Sequence, residues 1–180
     1  MSDRKEAILE AGLKLFAEQG YAGTRTREIA SRASVSEGLI FRHFDNKEGL
    51  LKAIFEEGLN RIRKKTAILI KEEDDSVFLR KIIEMPIQVV DDFPDFWRLT
   101  FSIKWSDPAL KEKYYSYEPM EAIATRTIQV FSKRGFQSPE MESDFLYTTI
   151  EGLIGIYLQE GKSERVVRLM EYIKSKYDKQ

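Results

Sequence analysis

Apolar residues recur every three to four positions along almost the whole chain, and no run of strand length alternates strictly between apolar and polar residues. This pattern predicts an all-helical protein of about nine helices. The first helix covers roughly 3–19, with Ile8, Ala11, Leu15 and Phe16 on one face and Gly20 as its stop. A short helix from about Arg25 to Ala33 turns Ile29, Ala30 and Ala33 inward. "SVS" leaves room only for a tight turn before a third helix over Glu37–Phe44, started by Ser36 or by a Ser34–Glu37 capping box. Asn46 caps a long fourth helix that starts at Lys47, runs to about Lys71 and is broken by "KEEDDS". The remaining helices fall at about 76–91, 94–105, 108–134, 139–160 and 163–177. Pro94, Pro108 and Pro139 sit where a helix start tolerates proline, and Gly135 and Gly161 sit at stops. Pro86 lies inside the fifth helix, where it should kink or split it.

Two short helices joined by a tight turn, inside a three-helix bundle, describe a helix-turn-helix. Its core would be Ile29, Ala30, Ala33, Val35, Leu39, Ile40 and Phe44, leaving Ser36, Glu37, Gly38, Phe41, Arg42 and His43 on or near the outer side. Glycine inside a short helix costs up to about 1 kcal/mol relative to alanine, and close approach of another surface is a reason to accept it at Gly38. The boundary of this bundle falls within the fourth helix, which divides the chain into residues 1–48 and 49–180.

Composition changes this picture only in part. The 180 residues are 42% hydrophobic with a formal net charge of -1, so a globally basic surface does not announce nucleic acid. Charge is local instead: Arg25, Arg27, Arg32, Arg42 and Lys47 outnumber Glu28, Glu37 and Asp45 by two over the same stretch. The starts of the second and fourth helices add partial positive charge suited to phosphates. Cysteine is absent, which removes disulfides, thiolate metal sites and cysteine nucleophiles and agrees with a cytoplasmic protein. His43 is the only histidine. With no second histidine or cysteine it completes no metal site, and a Ser–His–Asp set is improbable, so no enzyme and no cofactor is expected. No apolar run approaches the roughly 18 residues a membrane span needs.

Gly20, Tyr21, Thr24, Ile29, Ala30, Ala33, Val35, Ser36, Gly38, Ile40, His43, Phe44, Lys47 and Leu50 fall at the spacings of one known pattern. In these residues the first 50 or so positions resemble the tetracycline-repressor (TetR) family of transcription regulators. The resemblance implies that the third helix enters the major groove of a pseudo-palindromic operator in double-stranded DNA. It further implies that Thr24, His43 and Lys47 hold phosphates, and that residues near Gly38, Leu39 and Arg42 meet base edges or the backbone. Arg25, Thr26, Arg27, Ser36, Glu37 and Phe41 complete the candidate DNA-binding set. Three positions depart from the family. Phe41 replaces a tyrosine, Ser34 replaces the turn glycine, and Arg25 stands at a serine or threonine cap position. Ser34 must then adopt negative φ or bear modest strain.

The second half offers two further patterns. Phe93, Phe96, Trp97, Phe101 and Trp105, followed by Tyr114 and Tyr117 and interleaved with Arg98 and Lys104, exceed what a thin helical core requires. The resemblance implies a ligand cavity there, enclosed by helices four to eight, for a small hydrophobic effector; a surface that docks a protein partner is the alternative. The helix over 139–160 is apolar on two stripes, one of Leu146, Ile150, Leu153 and Tyr157 and one of Phe145, Thr149, Gly152 and Ile156. Together with Val166, Met170 and Ile173 of the last helix, which also carries Tyr177, the first stripe and Ile154 form the candidate homodimer interface; a central helix buried within a single chain is the alternative. The expected function is a homodimeric, ligand-responsive regulator, a repressor that leaves its operator when the effector binds.

Overall fold

The computed structural model describes residues 3–114 and 118–178. Ten α-helices and no strand occur among them: α1 (Asp3–Gln19), α2 (Thr26–Arg32), α3 (Glu37–Phe44), α4 (Lys47–Leu69), α5 (Asp75–Asp92), α6 (Pro94–Ser106), α7 (Pro108–Tyr114), α8 (Glu118–Lys133), α9 (Pro139–Glu160) and α10 (Glu164–Tyr177). None is long and apolar enough to cross a membrane. The helix expected over 108–134 is two, α7 and α8. Pro86, expected to kink or split its helix, lies within the unbroken α5.

The backbone gathers into two compact units, Met1–Arg61 with Asp95–Ser116, and Ile62–Pro94 with Tyr117–Gln180. The division falls inside α4, and α7 with nearly all of α6 joins the N-terminal unit. In that unit Ile8, Phe16, Ile29, Ile40, Leu50 and Leu51 are buried to completion. Gly20 ends α1 with φ +77°, and Tyr21 folds back to bring its ring 5.3 Å from that of Phe16. Asn46 caps α4 by accepting the Gly49 N–H at 2.9 Å. Farther along, Phe55 stacks on Tyr114 and meets Phe96 edge-on, both at 5.5 Å between ring centroids. Gly58 is what lets α6 approach: a Cβ there would stand 2.1 Å from the Phe96 ring.

The second unit is built around Phe78, Ile83, Phe131, Leu146 and Leu153. Asp74 caps α5 by accepting from the Ser76 and Val77 N–H groups. Arg134 closes the end of this core, donating to the Tyr177 carbonyl at 2.5 Å and to Ser76 Oγ at 2.7 Å. The phenol of Tyr157 donates to Asp91, and the Tyr147 hydroxyl is hydrogen-bonded to that of Thr127, so these two phenols are satisfied.

Candidate nucleic-acid interface

α2 and α3 meet through a turn in which Ser34 adopts φ +54°, the left-handed conformation a glycine would take without cost. The expected strain is therefore present, and the turn is closed by Val35 N–H donating to the Ala30 carbonyl at 3.0 Å. Arg25 cannot cap α2 with its side chain. The Glu28 carboxylate reaches back to the Arg25 N–H at 3.3 Å and satisfies one terminal donor. At α3 the expected side-chain cap is absent, because Ser36 makes no cap hydrogen bond. The Glu37 carboxylate is turned to the neighbouring helix, where Thr26 Oγ1 donates to it at 2.5 Å.

Ile40 and Phe44 anchor α3 in the bundle. Ser36, Gly38, Phe41 and Arg42 are exposed, while Glu37, Leu39 and His43 are half-buried at the edge of the same face. Phe41 is 44% exposed, so the ring lies outward and not in the core. A Cβ on Gly38 would meet nothing within 4 Å, so nothing inside the bundle requires glycine there. Arg25, Arg27 and Arg32 line a cleft with Leu15, Glu28 and Ser31, and Arg32 is paired with Glu18 at 3.0 Å. The arrangement is a short helix exposed on one side, with a side-chain-free position at Gly38, in a helix-turn-helix that also carries Arg25, Arg27, Arg32 and Arg42. It can meet a polyanion over a small surface.

Two residues expected at phosphates are occupied elsewhere. Thr24 is buried, and its hydroxyl donates to the main-chain carbonyls of Gly20, just beyond α1, at 2.8 Å and of Leu15 within it at 3.2 Å. Its side chain has no outward face. The Lys47 ammonium donates to the carbonyls of Tyr21 and Thr24 at 2.9 and 3.0 Å, so two of its three protons already hold the bundle together.

The aromatic stretch is sorted by packing. Phe96 and Tyr114 are core residues against Phe55. Trp97, Phe101 and Lys104 are half-buried, as is Phe93 in the other unit. Arg98 is exposed and paired with Asp95 at 2.9 Å, and Trp105 is 75% exposed with the Lys104 ammonium over its ring. Tyr117 lies outside the described residues. Trp97 Nε1 is buried without a hydrogen-bond partner among the described residues. A cleft of about 530 Å³ in this unit is lined by Glu48, Lys52, Phe55, Leu59, Lys113 and Tyr114 among others, of which only Tyr114 was expected at a ligand. There Glu48 accepts from Lys113 and, at 3.0 Å, from the Tyr114 phenol. These two donors, Lys113 first, hold the Glu48 carboxyl below the usual range, and burial followed by Glu48 pushes the phenol up to about 12.

The candidate dimer residues need a correction. Leu146, Ile150, Leu153, Ile154, Tyr157, Val166 and Ile173 are buried within their own unit, and only Met170 is half-exposed. Their side chains cannot offer a face to a second chain. The open side of α9 is the other stripe, where Met141, Phe145 and Gly152 are exposed, and Tyr172 is exposed on α10. The signal was present in the sequence as the second apolar stripe, but periodicity alone does not say which stripe is covered.

Residues 8–54 match the family model described as bacterial regulatory proteins, tetR family. Several bacterial HTH-type transcriptional regulators are 43% to 50% identical over 50 to 57 residues, and the chain spans less than a third of the length of these relatives. Over nearly its whole length the chain is similar to the HTH-type transcriptional repressor AcnR of Corynebacterium glutamicum. The two are 23% identical over 183 residues, covering 96% of this chain and 91% of AcnR. A transcriptional regulator of the TerR/AcrR family from Aquifex aeolicus has the same fold at a TM-score of 0.70, with 26% identity over 96% of both chains. The transcriptional regulator FadR of Bacillus subtilis, in a crystal structure with stearoyl-CoA, shares the fold at a TM-score of 0.74, with 20% identity over 97% of both chains. Residues 8–54 thus match the tetR family model of bacterial regulatory proteins, and over nearly its whole length the chain shares the fold of these solved regulators.

Proposed function

We propose that the protein is a homodimeric transcriptional repressor that places α3 in the major groove of a pseudo-palindromic operator and leaves it when a hydrophobic small molecule binds. The observation that carries the DNA-binding half is the exposed face of α3, with Gly38 open and Phe41 and Arg42 outward. Side-chain contacts to DNA come from Arg25, Arg27, Ser36, Phe41, Arg42 and His43, with Thr26 and Glu37 beside them. Thr24 and Lys47 act mainly by holding the bundle that presents them. No chemistry belongs to this function. Two subunits meeting successive grooves would space their recognition helices by about 34–36 Å. Self-association through the open stripe of α9 and Tyr172 of α10 is supported by the exposure of Met141 and Phe145 around Gly152.

The effector half rests on the half-buried aromatics of α6 and on Trp97 Nε1, a donor with no partner among the described residues that a polar group on a largely apolar ligand would satisfy. Stearoyl-CoA, held by FadR, combines such an apolar chain with an anionic group. A protein-docking role for the helical half is favoured by one observation, the exposure of Trp105.

The test is selection of operator fragments from a random duplex pool, followed by titration of the selected complex. Wild-type protein should bind with affinity that falls steeply as salt rises, and Arg42→Ala should reduce that slope by about one phosphate contact. Stearoyl-CoA should change Trp97 fluorescence and release the DNA. Fluorescence change without release would separate ligand binding from regulation, and no sequence enrichment would remove the DNA-binding reading.

A further inference from the structure

The recognition helix begins with a half-buried carboxylate, and that carboxylate is held from outside its own helix. Glu37 is the first residue of α3 and could have served its own N-terminus. It is instead fixed by Thr26, the first residue of α2, whose hydroxyl donates to Glu37 Oε1 at 2.5 Å. α2 does not need Glu37 in return, because Glu28 already serves the Arg25 N–H. The next residue, Gly38, is exposed and carries no side chain, and a Cβ there would touch nothing within 4 Å. An acid beside phosphates is repelled by them, and the acceptor sites that Thr26 leaves over on Glu37 need a further donor. Residues at the start of a recognition helix are those that reach base edges.

In the major groove only two base groups donate, the amino groups of cytosine and adenine. The adenine amino group lies beside N7, an acceptor that a carboxylate meets unfavourably, whereas cytosine N4 has only the C5–H edge beside it. We propose that Glu37 reads one cytosine in each half-site through its N4 amino group, with Thr26 as the positioning residue that holds the carboxylate. This rests on the reading of α3 as a major-groove helix. Gly38 serves it by letting the first turn of α3 come close enough for a short carboxylate to reach the base.

The experiment is selection from a random duplex pool with wild type, Glu37→Gln, Glu37→Ala, Thr26→Val and Thr26→Ser, each checked for native helicity and melting. The wild-type motif should contain an invariant cytosine in each half-site, and replacing that C·G pair by T·A should weaken binding by about tenfold. Glu37→Ala and Glu37→Gln should lose preference at that one position and keep it at the others. Thr26→Val should blur the same position alone, and Thr26→Ser should restore it. An unchanged motif in folded Glu37 variants would overturn the proposal, as would a uniform loss of affinity for all sequences, which marks a brace between α2 and α3. A wild-type protein that enriches no motif would instead remove the DNA-reading role of α3 itself.

Discussion

The Lys47 ammonium lies 4.4 Å from the centroid of the Tyr21 ring and donates to the Tyr21 carbonyl at 2.9 Å. The start of α4 is thereby pinned to the loop after α1, across 26 residues of chain. Charge-assisted hydrogen bonds of this kind and a cation over a ring each contribute on the order of 1 kcal/mol when partly shielded from water. Lys47→Ala should therefore lower the thermal midpoint of the protein even without DNA, by about 1–2 kcal/mol of stability. Calorimetry of the free protein decides it. An unchanged midpoint, together with a weaker salt dependence of operator binding, would return Lys47 to a phosphate contact.

Gly58 and Phe96 make a second close pair. Adding a methyl at residue 58 improves helix propensity by up to about 1 kcal/mol, yet forces a buried ring to move, at a typical cost of 1–3 kcal/mol. Phe96 is 2% exposed and braced by Phe55, so it has nowhere to go. Gly58→Ala should thus be net destabilising. Combining it with Phe96→Leu should recover part of the loss, and additive losses in the double mutant would show that the two do not compete for space.

The Glu48 carboxyl titrates below its ordinary value of 4.5 when folded, held down by Lys113 and then Tyr114. A depressed carboxylate contributes stability that is present above the unfolded value and is lost as pH falls through the folded one. Wild type should therefore lose its advantage over Glu48→Gln as the pH drops below about 4.5. The Tyr114 phenol carries the opposite sign. Its contribution is present below 10.0 and lost as pH rises toward about 12. Melting curves of the two proteins from acid to alkaline pH measure both limbs, and parallel curves would show that the Glu48 contacts do not persist in solution.

The two faces of α9 should respond oppositely to charge. Gly152→Glu places a carboxylate on the open stripe, where a Cβ meets nothing, so the variant should keep its helicity and become monomeric with weak operator affinity. Leu153→Asp puts an unpaired charge in a core position that is 3% exposed and should unfold the second unit. Sedimentation and circular dichroism separate the outcomes. A Gly152→Glu variant that sediments as a dimer would move the interface off this stripe.

What the sequence determined by itself was local. The period of apolar residues, Gly20 as a stop and Asn46 as a cap act within one or two turns, so the bounds of α1, α3 and α9 follow from neighbours a few positions away. The helix-turn-helix spacing from Gly20 to Lys47 was legible for the same reason. Tertiary structure alone decided where long-range partners lie. Thr24 looks like a phosphate ligand until its hydroxyl turns to the Leu15 carbonyl, nine residues away, and Glu37 looks like a helix cap until Thr26 takes it. In α9 two apolar stripes satisfy the same helical period, and only packing against α5, α8 and α10 chooses which is covered. Buried area and hydrogen-bond satisfaction are properties of the assembled bundle, and a one-dimensional pattern specifies which groups must find partners without specifying which partners they find.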